Sequence, residues 1–470
     1  KAAESVGLIK FDFLGLKTLD QLRDAVKMIH RNTGELIDLA LLPLDDEATF
    51  KLLQRGDGLG VFQVESSGMR ELLTRLLPSN IDDLIALLAL YRPGPLSSGM
   101  VDNFIDCKHG RKAIEYPHPS LETILKPTYG SIVYQEQVMQ IAQVYSGYSL
   151  GGADLLRRAM GKKKKEEMDK QRSLFVEGAV GKGHTEDAAN ELFDLLAYFA
   201  GYGFNKSHSA AYGMVSYHTA YLKAHHRAEY MAALMTIESS NTDKVLAYIG
   251  DCKRAGLDVL PPDINTSVHG FDVPADKRDQ IRFGLAAVKG VGSGAIEAII
   301  EAREDAGGRF KTFEGCLEKL DHKRINKKVL ESLVKCGAFD WTDKPRQQLL
   351  KGLPGAVSSA QRTQADRASG QTSLFGGKAA VPQPRLRLPD VGEWPLSTKL
   401  SKEREALGFF ITGHPVEAYA SLVERAATCS IDELVHVRAD TNVRVAGMVS
   451  AMRQIKTRRG DAMAFVTLED

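Results

Sequence analysis

The sequence predicts an α+β multidomain protein: a long, mostly helical body, a smaller region built around a glycine turn, and the start of a small β-barrel. Three observations predict this. From about residue 45 to 250 the apolar positions recur mostly at helical spacing. Residues 352–384 shift to Gly, Ser, Ala, Gln and Pro, the composition of a linker. Residues 443–468 alternate apolar and polar positions, the period of half-buried strands. A length of 470 residues suggests about three domains, each able to bury its own core.

Residues 4–29 read as a strand, a turn at Gly15 and a helix. In the strand, Lys10-Phe-Asp-Phe-Leu-Gly-Leu16 sets a lone carboxylate, Asp12, between Phe11 and Phe13. A charge in so apolar a run is costly unless it is paired or holds a metal. Two-metal phosphoryl transfer needs such a carboxylate; a strand-end Asp capping the next turn is the plainer alternative. Leu84, Leu87, Leu88 and Tyr91 keep helical spacing up to the breaker Arg92-Pro-Gly-Pro95. Residues 131–145 and 187–200 predict further amphipathic helices. Pro261-Pro262 marks a boundary, a β segment follows at 281–285, and Gly290-Val-Gly292 leads into a helix over 293–304. Within the linker a helix is expected from Pro354 to about Arg367. Val443, Val445 and Val449, then Ala464, Val466 and Leu468, predict two strands joined by Arg453, Lys456, Arg458 and Arg459.

Lys and Arg number 61 against 60 Asp and Glu, so any nucleic-acid contact must come from local clusters. The five cysteines, Cys107, Cys252, Cys316, Cys336 and Cys429, include no CxxC pair; structural zinc is not expected, and scattered thiols fit a reducing cytoplasm. No apolar run is long enough to span a bilayer, so no membrane role is expected. There is no signal peptide and no starting Met, and both ends fall inside patterns, which reads as a fragment of something longer.

Four constellations carry chemistry. In Leu155-Leu-Arg-Arg-Ala-Met-Gly-Lys-Lys-Lys-Lys165, one helix would place Arg158, Lys162 and Lys165 on one face, beside Arg157. Such a row suits a polyphosphate or a DNA backbone, or is simply a solvated basic face. In Gly201-Tyr-Gly-Phe-Asn-Lys-Ser-His-Ser-Ala-Ala-Tyr-Gly213, Lys206 and His208 lie in a window with no Asp or Glu between Asp194 and Glu229. The window also holds Lys223, Arg227 and histidines 218, 225 and 226, which suggests an anionic ligand; a helical core junction is the alternative. Lys289, Gly290, Val291, Gly292, Ser293 and Gly294 resemble a helix-hairpin-helix turn, whose N–H groups can hold a DNA phosphate, or form an ordinary tight turn. Gln371-Thr-Ser-Leu-Phe375 offers Leu374 and Phe375 as apolar anchors for a partner's pocket, or for the chain's own domain.

Taken together, KFDFLGL, GVFQVESSGMR (60–70), YRPGPL (91–96), GSIVYQEQVM (130–139), LRRAMGKK, GYGFNKSHSAAY and LPPDIN (260–265) resemble the signatures of one family in their expected order. That family is the alpha subunit of bacterial DNA polymerase III. The resemblance implies a palm remnant over 1–20, fingers over 21–270, a helix-hairpin-helix region over 271–345, a clamp-binding linker with a small helical region over 346–440, and a truncated OB domain over 441–470. It implies that Asp12 is the last of three catalytic aspartates and that Lys10 lies near the nucleotide phosphates. Arg157, Arg158, Lys162, Lys206 and His208 would face the incoming triphosphate or template. Gln371, Leu374 and Phe375 would bind the sliding clamp, and the OB strands, with Arg453, Lys456, Arg458 and Arg459, the template strand. The implied activity is template-directed DNA synthesis with two Mg²⁺ ions, dNTPs and primer–template DNA, in the cytoplasm and beside other replicase subunits.

One departure matters. No two aspartates are spaced as D-x-D, the pair the family's palm supplies, so residues 1–470 alone are expected not to polymerise. A non-catalytic DNA-binding and clamp-adaptor module is one rival reading; the family's error-prone paralogue is another.

Overall fold

The computed structural model describes residues 6–8, 15–162, 165–200, 202–368, 388–431, 433–434, 437–457 and 460–469. The chain divides into two units, Lys1–Met231 and Ala232–Asp470.

In the first unit, α1 (Lys17–Thr33) buries Leu22, Ala25 and Ile29 at the three- and four-residue spacing of one helical face and ends at Gly34, whose φ is 76°. The strand expected before it, with Lys10 and Asp12, lies outside the described residues. Then α2 (Glu47–Gln54), α3 (Ser67–Leu76) and α4 (Ile81–Leu90) each start at a side-chain cap, Asp46, Ser66 and Asn80. Each cap satisfies an N–H that the helix leaves open. The Arg92-Pro-Gly-Pro95 breaker ends α4 as expected, and Pro93 opens a short helix, Pro93–Ser97.

The expected helix at 131–145 is α5 (Gln135–Ser146); residues 133 and 134 instead stay extended, with Tyr134 bridging Phe204. Next come α6 (Leu150–Lys162), α7 (Lys165–Gly181) and α8 (Glu186–Ala200). Here the single helix expected across Arg158, Lys162 and Lys165 is corrected: those residues belong to two helices. Leu156 and Met160 of α6 and Phe175 and Ala179 of α7 enter the same apolar cluster. At about 1.5 Å per residue a continuous helix could not bring both ends to one core.

A second cluster gathers Leu53, Val61, Leu73, Leu84, Leu87 and Phe104 around Tyr217 and Ala220 of α9 (Lys206–His225). This helix approaches α4 very closely. Ser209 Oγ donates to the Ile85 carbonyl at 2.6 Å, and a Cβ on Gly213 would lie 2.7 Å from Ile85 Cγ1. The helix α10 (Arg227–Ile237) follows.

In the second unit, α11 (Thr242–Arg254) precedes β1 (Asp258–Leu260), which pairs in parallel with β2 (Gln280–Arg282). The β segment expected at 281–285 is therefore shorter. The expected helix at 293–304 is α12 (Ser293–Asp305), followed by α13 (Phe313–Lys319) and α14 (Lys327–Lys335). The linker helix starts earlier than expected: α15 spans Arg346–Ala368 with Pro354 inside it. Packing overrides the proline. Arg346 is buried between Asp340 at 2.6 Å and Glu403 at 2.8 Å, and Leu349 and Leu353 are fully buried. Glu403 sits on α16 (Leu396–Leu407).

The chain's final strands, β3 (Met448–Lys456) and β4 (Ala462–Glu469), form an antiparallel hairpin. Arg453 and Lys456 lie within β3, not in the connection between strands, because Met452 and Ile455 carry the strand on to a turn in which Thr457 N donates to Asp461 O. Val443 and Val445 precede the strand. Among the described residues the hairpin is two-stranded, with no closed barrel.

Candidate nucleotide and DNA interface

Four of the signature strings meet at the N-terminal end of α9. Asn205 caps the helix, its side chain accepting from His208 N at 2.8 Å. Phe204 N donates to Val133 O at 3.1 Å, and Gln135 N donates to Phe204 O at 2.9 Å. Glu136 accepts from the Asn205 side-chain amide at 2.8 Å and from Lys206 N at 2.9 Å. Arg92 donates to Tyr202 O at 2.7 Å and lies 4.3 Å above the Phe204 ring. Burial pulls the Arg92 guanidinium below its ordinary value. A Cβ on Gly94 would lie 2.2 Å from the Tyr202 ring, so that contact requires glycine.

The double arginine joins this junction asymmetrically. Arg157 donates to Asp154 at 2.8 Å and to the Gln135 side chain at 3.1 Å; Gln135 in turn donates to Gly203 O at 3.1 Å. Its side chain is 28% exposed, whereas that of Arg158, which meets the other Asp154 oxygen at 2.8 Å, is 61% exposed. Hydrogen bonding to Arg157 holds the Asp154 carboxyl below its usual range. Arg157 is thus an internal strut and Arg158 an outward cation on a fixed base. Lys206 and His208 are exposed as well. Lys206 Nζ lies 5.4 Å from the Tyr134 ring, and His208 stacks on Tyr212 at 4.3 Å. Lys162 closes α6.

The rest of the carboxylate-free window behaves differently from the expectation of a bound anion. Lys223 is fully buried and meets Asp57 at 2.6 Å, and Arg227 pairs with the other oxygen of the same carboxylate. His225 faces Asp46 at 2.9 Å and His226 faces Glu35 at 3.5 Å. Carboxylates from the first 60 residues therefore neutralise the C-terminal half of the window. His218 has a buried Nε2 with no partner among the described residues, and burial lowers its pKa.

In the second unit the glycine turn has the geometry of an anion cradle. Gly290 has φ of 83°, Val291 is buried, and Gly292 immediately precedes α12. Lys289, Gly290, Gly292, Ser293 and Gly294 are exposed, and a Cβ on Gly292 or Gly294 would meet nothing within 4 Å. Open first-turn N–H groups and a positive helix end favour a phosphate. Lys289 N donates to Ala406 O at 2.8 Å, fixing the turn to α16. Arg453 and Lys456 lie on β3. Gln371, Leu374, Phe375, Arg458 and Arg459 lie outside the described residues.

Among the described residues no group of three or more His, Cys, Asp or Glu side chains could hold a metal ion. The described residues therefore do not fit a two-metal centre. Sequence reasoning did not single out Arg92, Gln135, Glu136 and Asp154, which organise the junction. All but Asp154 sit within quoted strings; Asp154, three and four residues before the two arginines, carried an i,i+3 and i,i+4 signal.

Residues 18–183 match the family model described as the bacterial DNA polymerase III alpha subunit finger domain, and residues 256–349 match a helix-hairpin-helix motif. The chain is thus similar to a polymerase finger domain followed by a hairpin motif. Three curated relatives, each a DNA polymerase III subunit alpha, narrow this. The proteins of Vibrio cholerae and Escherichia coli K12 are each 48% identical over 99% of this chain and 41% of their own length. That of Pseudomonas aeruginosa is 48% identical over 99% of this chain and 42% of its own. The chain belongs to the DNA polymerase III alpha-subunit family, and spans about 41% of the length of the relatives it matches. No described helix is long and apolar enough to cross a membrane.

Proposed function

We propose that the full-length protein carrying this chain is a template-directed DNA polymerase of bacterial chromosome replication, extending primer–template DNA with dNTPs. Divalent metal use goes with the family; two Mg²⁺ ions, held by Asp12 with palm carboxylates, are the specific reading. In this reading residues 21–270 are the fingers, 271–345 the hairpin region, 346–440 the clamp-binding linker and helical region, and 441–470 the start of an OB domain. The observation that carries it is the junction at the head of α9: Arg158, Lys206 and His208 exposed over a base fixed by Gln135, Glu136 and Asp154. Preorganised cations such as Arg158 and Lys206 stabilise charge that grows on a phosphoryl group without having to reorganise. Lys10 would act with them near the phosphates. The Lys289–Gly294 turn would hold duplex backbone. Arg453, Lys456, Arg458 and Arg459 would hold the template strand, and Gln371, Leu374 and Phe375 the sliding clamp, which adds effective concentration and not chemistry. The replisome of the bacterial cytoplasm is the corresponding location, with other replicase subunits as further partners.

The test is Mg²⁺-dependent primer extension by the full-length protein, wild type against Asp12→Asn, with primer–template binding followed by fluorescence anisotropy. Loss of extension with binding retained supports the reading. Unchanged extension makes Asp12 structural, places the chemistry outside this chain and favours a DNA-binding clamp-adaptor role for it. Extension by residues 1–470 alone would contradict the assignment of the missing carboxylates to other parts of the protein.

A further inference from the structure

We propose that Gln63 is a base-contacting residue of this site, its side-chain amide donating to the minor-groove edge of the primer–template; the inference rests on the polymerase reading above. Residues 61–64 form a turn closed by Val64 N donating to Val61 O at 3.2 Å. Gln63 takes its third position with φ of 62°, where glycine or asparagine is favoured. Val61 and Val64 on either side are buried, and Gln63 is exposed. Among the described residues its amide makes no hydrogen bond.

The turn is braced from α9. Thr219 Oγ1 accepts from Phe62 N at 3.1 Å, and Ser216 Oγ donates to Phe62 O at 2.8 Å; both hydroxyl residues are fully buried. Tyr230 Oη donates to Gly60 O at 2.6 Å. A glutamine held in a glycine conformation by its surroundings, with its polar group left to solvent, serves contact better than it serves folding. The turn is also joined to the candidate site. The Phe62 ring lies 5.2 Å from Tyr212, Tyr212 stacks on His208 at 4.3 Å, and His208 is 5.4 Å from Phe204, above which Arg92 sits.

Chemistry selects the base edge. Phosphates are matched by the cations nearby, whereas a neutral carboxamide offers a donor and an acceptor. An enzyme that copies every base needs a contact common to all pairs. The minor-groove acceptors, purine N3 and pyrimidine O2, provide one.

The test is single-nucleotide incorporation by the full-length protein on primer–template containing 3-deazapurines near the primer terminus, which lack the N3 acceptor. Wild type is expected to lose about 10-fold in kcat/KM on the deaza substrate, the worth of one hydrogen bond. Gln63→Gly, free of the φ restriction, is expected to show the same loss on normal DNA, no further loss on deaza DNA, and an equal or higher Tm. Gln63→Asn, tolerant of this φ but a methylene shorter, should match it. Wild-type kinetics in both variants overturns the proposal. So does a fall in Tm and kcat/KM that leaves the deaza penalty intact, which marks a purely structural turn. If wild type extends no primer at all, the polymerase reading itself fails, and this proposal with it.

Discussion

Lys223 and Asp57, 166 residues apart in sequence, meet at 2.6 Å, with the lysine wholly buried on α9 and Arg227 on the other carboxylate oxygen. Lys223 also donates to Leu59 O at 2.8 Å, so the pair fixes the start of the segment that carries Gln63. Asp57→Asn leaves a buried ammonium without its counter-charge and should cost about 3–5 kcal/mol, read as a fall in urea midpoint at neutral pH.

The same carboxylate gives a pH dependence. Burial alone would raise the Asp57 pKa, but Lys223 and Arg227 outweigh it and hold the group below its ordinary value. A carboxyl depressed on folding stabilises fully above its unfolded pKa, about 4, and that contribution disappears as pH falls through the lower folded value. Urea midpoints between about pH 5 and pH 2 should therefore drop further for wild type than for Asp57→Asn.

Gly213→Ala should destabilise although alanine is the better helix former. The added Cβ would lie 2.7 Å from Ile85 Cγ1. Overpacking costs about 1–3 kcal/mol, against the roughly 1 kcal/mol of helix propensity gained. Thermal unfolding of the single variant and of Gly213→Ala with Ile85→Val checks the cause: trimming Ile85 should recover part of the loss.

Arg158 and Arg157 should separate kinetically. Arg158→Ala and Lys206→Ala are expected to lower kcat/KM for nucleotide by about 10- to 100-fold with Tm nearly unchanged, the worth of one charged hydrogen bond. Arg157→Ala should lower Tm as well, because it removes the half-buried link between Asp154 and the Gln135 side chain. Equal effects of the two arginines on Tm would contradict the division into strut and outward cation.

Thiol reactivity offers a check on burial. Cys107, Cys252, Cys316 and Cys336 are buried and Cys429 is half-exposed. Burial pushes the Cys316 thiol far up and Cys336 up to about 12, and the thiolate is the reactive form. Maleimide treatment of the folded protein followed by peptide mapping should label Cys429 first among these five, and all five in denaturant.

Much of the helical body was legible because it follows local rules. The Arg92-Pro-Gly-Pro95 stop and the Gly290-Val-Gly292 entry to α12 follow from residues a few positions apart, and the caps Asp46, Ser66 and Asn80 are of the same local kind. What was not legible depends on distant partners. Pro354 reads as a helix start, yet Arg346 and its partner Glu403, 57 residues on, begin the helix earlier. The basic residues of α9 read as a waiting anion site, yet Asp46, Asp57 and Glu35 neutralise its C-terminal half. No short window of sequence holds both halves of such pairs. Among the candidate residues, exposure separates Arg158 from Arg157, and adjacency in sequence hides that difference.

The small residues on α9 restrict how this part of the molecule can move. Ser209 bonds the Ile85 carbonyl, Gly213 leaves room for the Ile85 side chain, and Ser216 holds the Phe62 carbonyl. Sliding the helix by one residue would turn Ala210 and Met214 onto positions that admit neither a larger side chain nor the loss of a buried hydroxyl bond. The turn bearing Gln63 and the helix bearing Ile85 are thereby geared to one shaft, and neither can shift along α9 without breaking a buried hydroxyl bond.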